Sequence, residues 1–235
     1  PKEKTGKNKT NNQTETGSKS MANEEGTETS IDTPVSNSVE NEIDEAVPVL
    51  IVNKNINNTP HKYISVVGDD AIKKLVLSLE KEKEICIDTE TTGIDANNVE
   101  LVGLSFSIKV HEGYYVPVTN DGSGENGAKH VLSLFKKLFE NKNITWIGQN
   151  LKYDFLVLKW YDIELKGKTF DTMLAHYVIE PEGRRSMDLL SAQYLGYEPV
   201  AIETLIGKRG KHQGTMRDVD LELITAYAAE DADIT

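Results

Sequence analysis

The first 47 residues differ so sharply in composition from the rest that they limit where this chain can fold. They hold five lysines and ten acidic residues, and the first aromatic residue of the chain is Tyr63. Such a stretch buries too little apolar area to offset the conformational entropy lost on ordering. We therefore expect residues 1–60 to form a disordered, acidic, low-complexity linker and residues 61–235 to form the folded domain.

Charge and cysteine content narrow the class of protein. A net charge of -12 argues against a protein that holds nucleic acid through its overall charge. It remains compatible with an enzyme whose metal cations bridge carboxylates to phosphates. The single cysteine, Cys86, excludes an internal disulfide and fits a reducing compartment. Because the sequence lacks a signal-peptide core and any apolar run of roughly 18 residues, we expect a cytoplasmic protein without membrane contact.

The rest of the chain alternates between strand and helix patterns. Apolar runs bounded by turn residues predict strands at residues 63–67, 84–88, 101–108, 114–118 and 145–148. Helical periodicity predicts helices at residues 69–80, 128–139, 150–160, 172–178, 187–195, 202–206 and 221–235. Together these patterns predict an α/β fold, with a mixed central β-sheet flanked by helices. Carboxylates fall at the end of a predicted strand and the start of a predicted helix, at the edge where open α/β sheets bind ligands.

Three acidic segments are candidates for chemistry. Asp88 and Glu90 follow an apolar strand, and period-two alternation places both on one face, where they repel each other unless a cation intervenes. A solvated turn is the alternative. Asp154 falls in the first turn of a helix that Asn150 would cap, which the helix dipole alone favours. The fourth carboxylate belongs to a helical pair, Tyr227 and Asp231, and a lone pair of this type is usually structural.

Taken together, these segments resemble the proofreading 3′→5′ exonuclease domain of family-A DNA polymerases. The first motif of that family resembles Asp88–Thr91, and the strand after it resembles Val102–Phe106. The second motif is similar to Gly148–Asp154, and the helix that follows is similar to Phe170–Leu174. The third motif resembles Tyr227–Asp233. The motifs occur in the family's order and spacing, so the match is specific.

The resemblance implies a ribonuclease H-like exonuclease fold over the exonuclease domain, residues 61–235. It implies catalytic roles for Asp88, Glu90, Asp154, Tyr227 and Asp231, of which the four carboxylates bind metal. Oxygen ligands suit hard cations, so two divalent ions, Mg²⁺ or Mn²⁺, are expected. By resemblance, Asp88, Glu90 and Asp231 hold one ion, Asp88 and Asp154 hold the other, and Tyr227 orients the attacking water.

The resemblance also implies a substrate, the 3′ end of single-stranded DNA, removed as deoxynucleoside 5′-monophosphates. The substrate-binding residues that it implies are Ile94, Gln149, Asn150, Tyr153, Arg184 and Ile202. Ile94 and Ile202 stand where the family pattern has leucine and phenylalanine. The change at Ile202 removes an aromatic surface for base stacking, which is worth roughly 1–3 kcal/mol per base.

The family continues into a covalently linked polymerase domain. Because this chain begins with Pro1 and stops at Thr235, we interpret it as a fragment with a truncated C-terminal helix. Since the shortened helix carries Asp231, we expect weaker activity than that of the intact enzyme. We also expect a monomer. Two alternatives stay open. One is an exoribonuclease resembling ribonuclease D, which uses the same carboxylates on RNA. The other is a catalytically silent structural module.

Several further polar residues have ambiguous roles in the sequence. Arg217 lies just beyond a basic stretch, Lys208–Gln213, that either contacts phosphates or forms a solvated loop. Asp171 precedes an apolar helical run and is expected to be an N-cap. Glu230 and Asp233 flank the third-motif aspartate but fall on other helix faces, so we expect them to lie outside the site.

Overall fold

The computed structural model describes residues 51–120, 122 and 124–235. Most of the predicted linker lies outside these residues. The strands are β1 Lys54–Asn55, β2 Lys62–Ser65, β3 Glu84–Thr91, β4 Leu101–Lys109, β5 Glu112–Pro117, β6 Thr145–Gly148, β7 Lys168–Asp171 and β8 Tyr197–Glu198. The α-helices are α1 Asp69–Leu79, α2 Ala128–Phe139, α3 Leu151–Lys159, α4 Thr172–Ile179, α5 Met187–Leu195, α6 Glu203–Ile206 and α7 Leu221–Ile234, and Met216–Asp218 form a 3₁₀ turn.

Six strands form a mixed sheet in the order β2-β5-β4-β3-β6-β7. Strand β4 runs antiparallel to both of its neighbours, and the remaining pairs are parallel. The mixed sheet flanked by helices that the sequence predicts is therefore confirmed. The sequence pattern predicts that the strand beginning at residue 84 stops at Asp88, but β3 continues to Thr91 and pairs Glu90 with Gly103. The acidic residues thus lie inside a central strand, held by a neighbouring strand.

The core on one side of the sheet is built around helix α2. Its buried apolar residues recur at helical spacing, so one face of α2 packs down onto the sheet. Four aromatic rings form a continuous row from β4 to β6, with centroids 5.2, 5.6 and 5.8 Å apart: Phe106, Phe135, Phe139 and Trp146. Burial of each such side chain contributes about 1.5–3 kcal/mol. This row fixes the positions of the strands that flank β3.

Helix α7 crosses the sheet and contacts β2, β3, β4 and β5. Small side chains let it approach closely, since Ala228, Ala229 and Ala232 are all buried. The predicted strands at residues 101–108 and 114–118 leave Gly113 between them, but this residue lies in β5, where an added Cβ would sit 2.5 Å from the Ala229 carbonyl oxygen. The turn itself lies at residues 110–111, where His111 adopts a φ of 64°. The missing side chain of Gly113 is what brings α7 onto the strand.

Three short strands go beyond the sequence prediction. Strand β1 pairs with β8, so residues 54–55 belong to the folded part although the predicted linker extends to residue 60. Strand β7 extends the large sheet beside β6 and ends at Asp171, whose carboxylate accepts from Leu174 N at 3.1 Å and caps α4 as predicted.

None of the helices in the described part of the chain is both long and apolar enough to span a lipid bilayer.

Candidate active site

Strand β3 and helix α7 bring three carboxylates together. Asp88 and Glu90 point to the same side of β3, and Asp231 reaches them from α7. One oxygen from each of the three lies within 4.8 Å of the others. Glu90 is 6% exposed and Asp231 is 9% exposed, whereas Asp88 is partly open to solvent. The cluster thus combines two distant segments of sequence in a half-buried site.

Asp154 is hydrogen-bonded to Thr89, the residue between Asp88 and Glu90 on β3. Its side chain is 2% exposed, and its Oδ1 accepts from the Thr89 amide at 3.0 Å and the Thr89 hydroxyl at 2.6 Å. These bonds tie the first turn of α3 to β3. The side chain of Asn150 makes no hydrogen bond that caps α3, contrary to the prediction. Asn150 instead adopts a left-handed backbone conformation, with a φ of 64°, immediately before the helix. Its backbone N–H donates to Asp171 Oδ1 at 3.2 Å.

Tyr227 lies one helical turn before Asp231 on α7, so both side chains share one face of the helix. It is partly buried and packs beside Val102, Tyr115 and Met216. Burial and the negative charge of Asp231 raise the pKa of the Tyr227 phenol far above its ordinary value. The phenol therefore keeps its proton and is suited to donating a hydrogen bond.

Burial and mutual repulsion make the four carboxylates hard to ionise together. Burial, with the nearby Asp231 charge, raises the pKa of Asp88 to about 8. Burial also raises the pKa of Asp231 to about 8, a rise that a hydrogen bond with Tyr227 opposes. For Glu90 and Asp154, burial followed by the Asp88 charge holds the pKa well above its usual range. An all-oxygen donor set with this much uncompensated negative charge fits a hard divalent cation.

Two of the predicted substrate-binding residues lie where β3 ends. Ile94 is 84% exposed and follows the strand by three residues. The Tyr153 hydroxyl donates to the Gly93 carbonyl at 2.6 Å and lies 2.6 Å from the Thr91 hydroxyl. These contacts hold the segment that carries Ile94 against α3. The structure therefore presents an apolar side chain to solvent just beyond the carboxylates.

The other predicted substrate-binding residues lie on separate segments. Gln149 donates through Nε2 to the Arg185 carbonyl at 3.0 Å, which links the end of β6 to the segment before α5. Arg184, next to that carbonyl, is exposed. Ile202 immediately precedes α6 and packs against the same apolar cluster as Tyr227.

Two residues have roles that sequence reasoning misses or assigns differently. Thr89 fixes Asp154, and its place between Asp88 and Glu90 is the only sequence signal for this role. Arg217 contacts the protein itself, since its guanidinium donates to Val118 O at 3.0 Å and Leu101 O at 2.9 Å. It therefore ties the 3₁₀ turn to β4 and to the residue that follows β5, while the phosphate contact of the neighbouring stretch Lys208–Gln213 stays a prediction.

Comparison with solved structures places this fold in a known class. Ribonuclease D of Trypanosoma brucei matches with a TM-score of 0.54 at 14% identity, covering 78% of this chain and 63% of that chain. NrnC of Brucella melitensis matches with a TM-score of 0.51 at 19% identity, covering 67% and 70%. At such identities the likeness concerns the fold alone. This likeness confirms the ribonuclease H-like fold that the resemblance implies.

Sequence comparison then gives the family. Residues 63–235 match the family described as 3′-5′ exonuclease. DNA polymerase I of Borreliella burgdorferi is 37% identical over 174 residues, which cover 74% of this chain and 19% of that protein. DNA polymerase I of Pseudomonas aeruginosa is 39% identical over 163 residues, which cover 67% and 18%. The chain therefore belongs to the 3′-5′ exonuclease family of DNA polymerase I, and it spans less than a fifth of the length of these relatives.

Proposed function

We propose that this chain hydrolyses the 3′-terminal phosphodiester bond of single-stranded DNA and releases deoxynucleoside 5′-monophosphates with two divalent metal ions, Mg²⁺ or Mn²⁺. The observation that carries the proposal is the meeting of Asp88, Glu90 and Asp231 oxygens within 4.8 Å. Membership of the 3′-5′ exonuclease family supports the reaction. Relatives that are DNA polymerases support DNA, rather than RNA, as the substrate.

The two metal ions share Asp88 in this proposal. Asp88, Glu90 and Asp231 would hold one ion, and Asp88 with Asp154 would hold the other. Bound there, the ions would offset charge on the phosphodiester, acidify the attacking water and assist departure of the 3′ oxygen. Thr89 keeps the Asp154 carboxylate in place through its amide and hydroxyl.

Tyr227 orients the attacking water in this scheme. The phenol hydrogen-bonds Asp231 and stays protonated at neutral pH, so once Asp231 binds an ion it would donate its proton in a hydrogen bond to the water rather than remove a proton from it. Ile94 and Ile202 offer apolar surfaces to the terminal bases. Gln149, Asn150, Tyr153 and Arg184 would hold the strand that leads to them.

The proposal extends to the covalent context of the chain. Because the relatives named DNA polymerase I are more than five times longer than the matched segment, we include a linked polymerase domain as the partner of this exonuclease domain. The isolated chain would be a monomer of 26.1 kDa. Light scattering coupled to gel filtration checks this mass, and a dimer mass contradicts the monomer.

A paired substitution tests the proposed reaction. Asp88→Ala with Glu90→Ala removes ligands of both ions, so digestion of a 3′-labelled single-stranded oligonucleotide in Mg²⁺ is expected to stop. Asp70→Asn is the matched control, since Asp70 is exposed in the first turn of α1 and should leave the rate unchanged. Undiminished digestion by the double variant refutes the assignment, and no digestion by the unaltered chain favours a silent structural module.

The choice of DNA is tested separately. Matched DNA and RNA oligonucleotides of one sequence are compared at equal concentration, with the release of mononucleotides as the readout. We expect faster release from DNA. Faster release from RNA would favour the exoribonuclease alternative. The likeness to ribonuclease D concerns the fold alone and gives no preference for RNA.

A further inference from the structure

Glu230, the residue before the Asp231 ligand, is completely buried. Its Oε1 accepts from the Tyr197 hydroxyl at 2.5 Å, and its Oε2 accepts from the Val200 amide at 2.7 Å. Both carboxylate oxygens are thus engaged by the segment around β8. Burying a carboxylate carries a desolvation cost that an apolar side chain would avoid, so packing alone does not account for this residue.

Asp233, two residues after Asp231, is held in the same manner on another part of the fold. Its side chain is 4% exposed. Its Oδ2 accepts from the Tyr63 hydroxyl on β2 at 2.9 Å, and its Oδ1 accepts from the His111 amide at 2.7 Å. His111 lies in the turn between β4 and β5 with a φ of 64°, and this left-handed geometry belongs to the turn that presents its N–H to α7.

Helix geometry connects these contacts to the metal ligand. At about 100° per residue, Glu230 and Asp233 lie about 60° apart, and Asp231 lies about 100° beyond Glu230. Two anchors on one side therefore set the rotation of the helix and with it the direction of Asp231. A carboxylate about 6 Å from the helix axis moves by about 2 Å when the helix rotates by 20°. Metal–ligand distances tolerate only about 0.2 Å.

We propose that Glu230 and Asp233 are positioning residues that fix the rotation of α7, so that Asp231 meets Asp88 and Glu90 at one divalent cation. This inference rests on the proposed function. It assigns to the two flanking carboxylates a role in metal affinity, which a purely stabilising role would not include. It also explains why three acidic residues stand within four positions of a helix that packs against the sheet.

The test uses the full 235-residue chain with Glu230→Gln and Asp233→Asn, each of which replaces one anchoring oxygen by an amide group. Glu222→Gln is the matched control, because Glu222 lies exposed on the same helix. Asp231→Asn removes the ligand itself. Mn²⁺ affinity of the metal-free proteins is measured by calorimetry, and the exonuclease rate is measured against Mn²⁺ concentration. Thermal unfolding without metal reports stability alone.

We expect both anchor variants to need about tenfold more Mn²⁺ for half-saturation, which is typical for groups that orient metal ligands. Their rates at saturating Mn²⁺ should return to within about threefold of the unaltered chain, and Glu222→Gln should change neither quantity. A lower unfolding temperature with unchanged Mn²⁺ affinity overturns the proposal. Should an anchor variant fail to fold, Tyr197→Phe and Tyr63→Phe, which each remove one donor, decide by a smaller shift in the same direction.

Failure of this inference is distinguishable from failure of the proposed function. If the unaltered chain binds no Mn²⁺, or Asp231→Asn binds it equally tightly, the metal site itself is wrong and the positioning role falls with it. If Asp231→Asn loses affinity while both anchor variants keep it, only the positioning role is overturned.

Discussion

Among single residues, Asp88 and Asp231 lower the free energy of unfolding at neutral pH when no cation is bound. Burial raises the pKa of each to about 8, above the unfolded value of about 3.9. A carboxyl whose folded pKa is raised contributes stability below its unfolded pKa, and that contribution is lost as pH rises through the folded pKa. The same groups that would bind metal therefore oppose folding at neutral pH.

The first prediction concerns pH. The free energy of unfolding of the metal-free chain should fall as pH rises from 6 to 8, because Asp88 and Asp231 must ionise in a buried cluster. Excess Mn²⁺ should remove most of this fall, since the cation binds the ionised form. Urea unfolding at the two pH values, with chelator or with Mn²⁺, measures both effects. Asp88→Asn should flatten the dependence, and an equal fall in this variant would contradict the explanation.

The second prediction concerns Thr89, whose hydroxyl lies 2.6 Å from Asp154 Oδ1. Thr89→Val keeps the shape of the side chain but removes this donor, so Asp154 should hold its metal about tenfold more weakly. Thr89→Ser keeps the donor and should behave like the unaltered chain. The Mg²⁺ concentration that gives half the maximal exonuclease rate is the readout. Identical values for the valine and serine variants would exclude the positioning of Asp154 by this hydroxyl.

At the scale of secondary structure elements, the approach of α7 to the sheet decides whether the third motif reaches the first. The contact depends on Gly113, where a Cβ would lie 2.5 Å from the Ala229 carbonyl oxygen and 2.8 Å from the Ala229 Cβ. Neither atom belongs to a flexible side chain, so the helix itself would have to move. Strand β5 thus controls the position of the α7 residues beside the carboxylate cluster.

The third prediction follows from this contact. Gly113→Ala should push α7 away from β5, which costs about 1–3 kcal/mol of stability as overpacking does, and should weaken Mn²⁺ binding in parallel. Gly124→Ala is the control, because a Cβ there meets no atom within 4 Å. Chemical unfolding and calorimetry provide the two measurements. A Gly113→Ala protein with unaltered stability and Mn²⁺ affinity would show that the helix tolerates the side chain.

Local sequence patterns predict several elements well. The bounds of α2, β6 and α5 agree with the predicted ranges. Helix α2 buries one apolar face at helical spacing, whereas α5 is bounded by Ser186 at its N-cap and Gly196 at its C-cap. The extension of β3 through Glu90 is missed, since polar residues in a strand look like a turn until the pairing with β4 is known. Strands β1 and β8 are two residues long and exist only through each other, so no local pattern indicates them.

In the candidate active site too, local sequence spacing predicts some features, whereas others depend on contacts between distant segments. The strand carboxylates share a face because of local alternation, and this was predictable from spacing. That Asp154 and Asp231 join them follows from the resemblance to a family, because no local rule brings α3 and α7 to β3. Contacts through Thr89, and those made by Glu230 and Asp233, depend on tertiary packing and were out of reach of the sequence.

For the whole molecule, the net charge of -12 favours binding of DNA through metal ions over binding by a basic surface. A protein that neutralises many phosphates with lysine and arginine releases many counterions, and its affinity falls steeply with salt. This chain has the opposite overall charge. Its hold on a DNA strand would come from cations in the carboxylate cluster and from apolar contacts with bases.

The fourth prediction uses this difference. Affinity of the chain for a short single-stranded oligonucleotide should depend weakly on NaCl, with a log–log slope of magnitude below about 2, and strongly on divalent cation. Affinity is measured by fluorescence anisotropy with Tyr227→Phe, which keeps all four carboxylates and which we expect to slow digestion of the oligonucleotide. A steep slope that persists in chelator would indicate a basic surface as the main source of affinity.

We expect distant segments of the chain to form a site for two divalent cations. Anomalous diffraction from crystals soaked in Mn²⁺ is the decisive measurement, because the anomalous signal of manganese locates the ions independently of the protein coordinates. We expect two peaks, one bounded by Asp88, Glu90 and Asp231 and one between Asp88 and Asp154. An ordered crystal at saturating Mn²⁺ with no peak among these four carboxylates would show that they do not form a metal site.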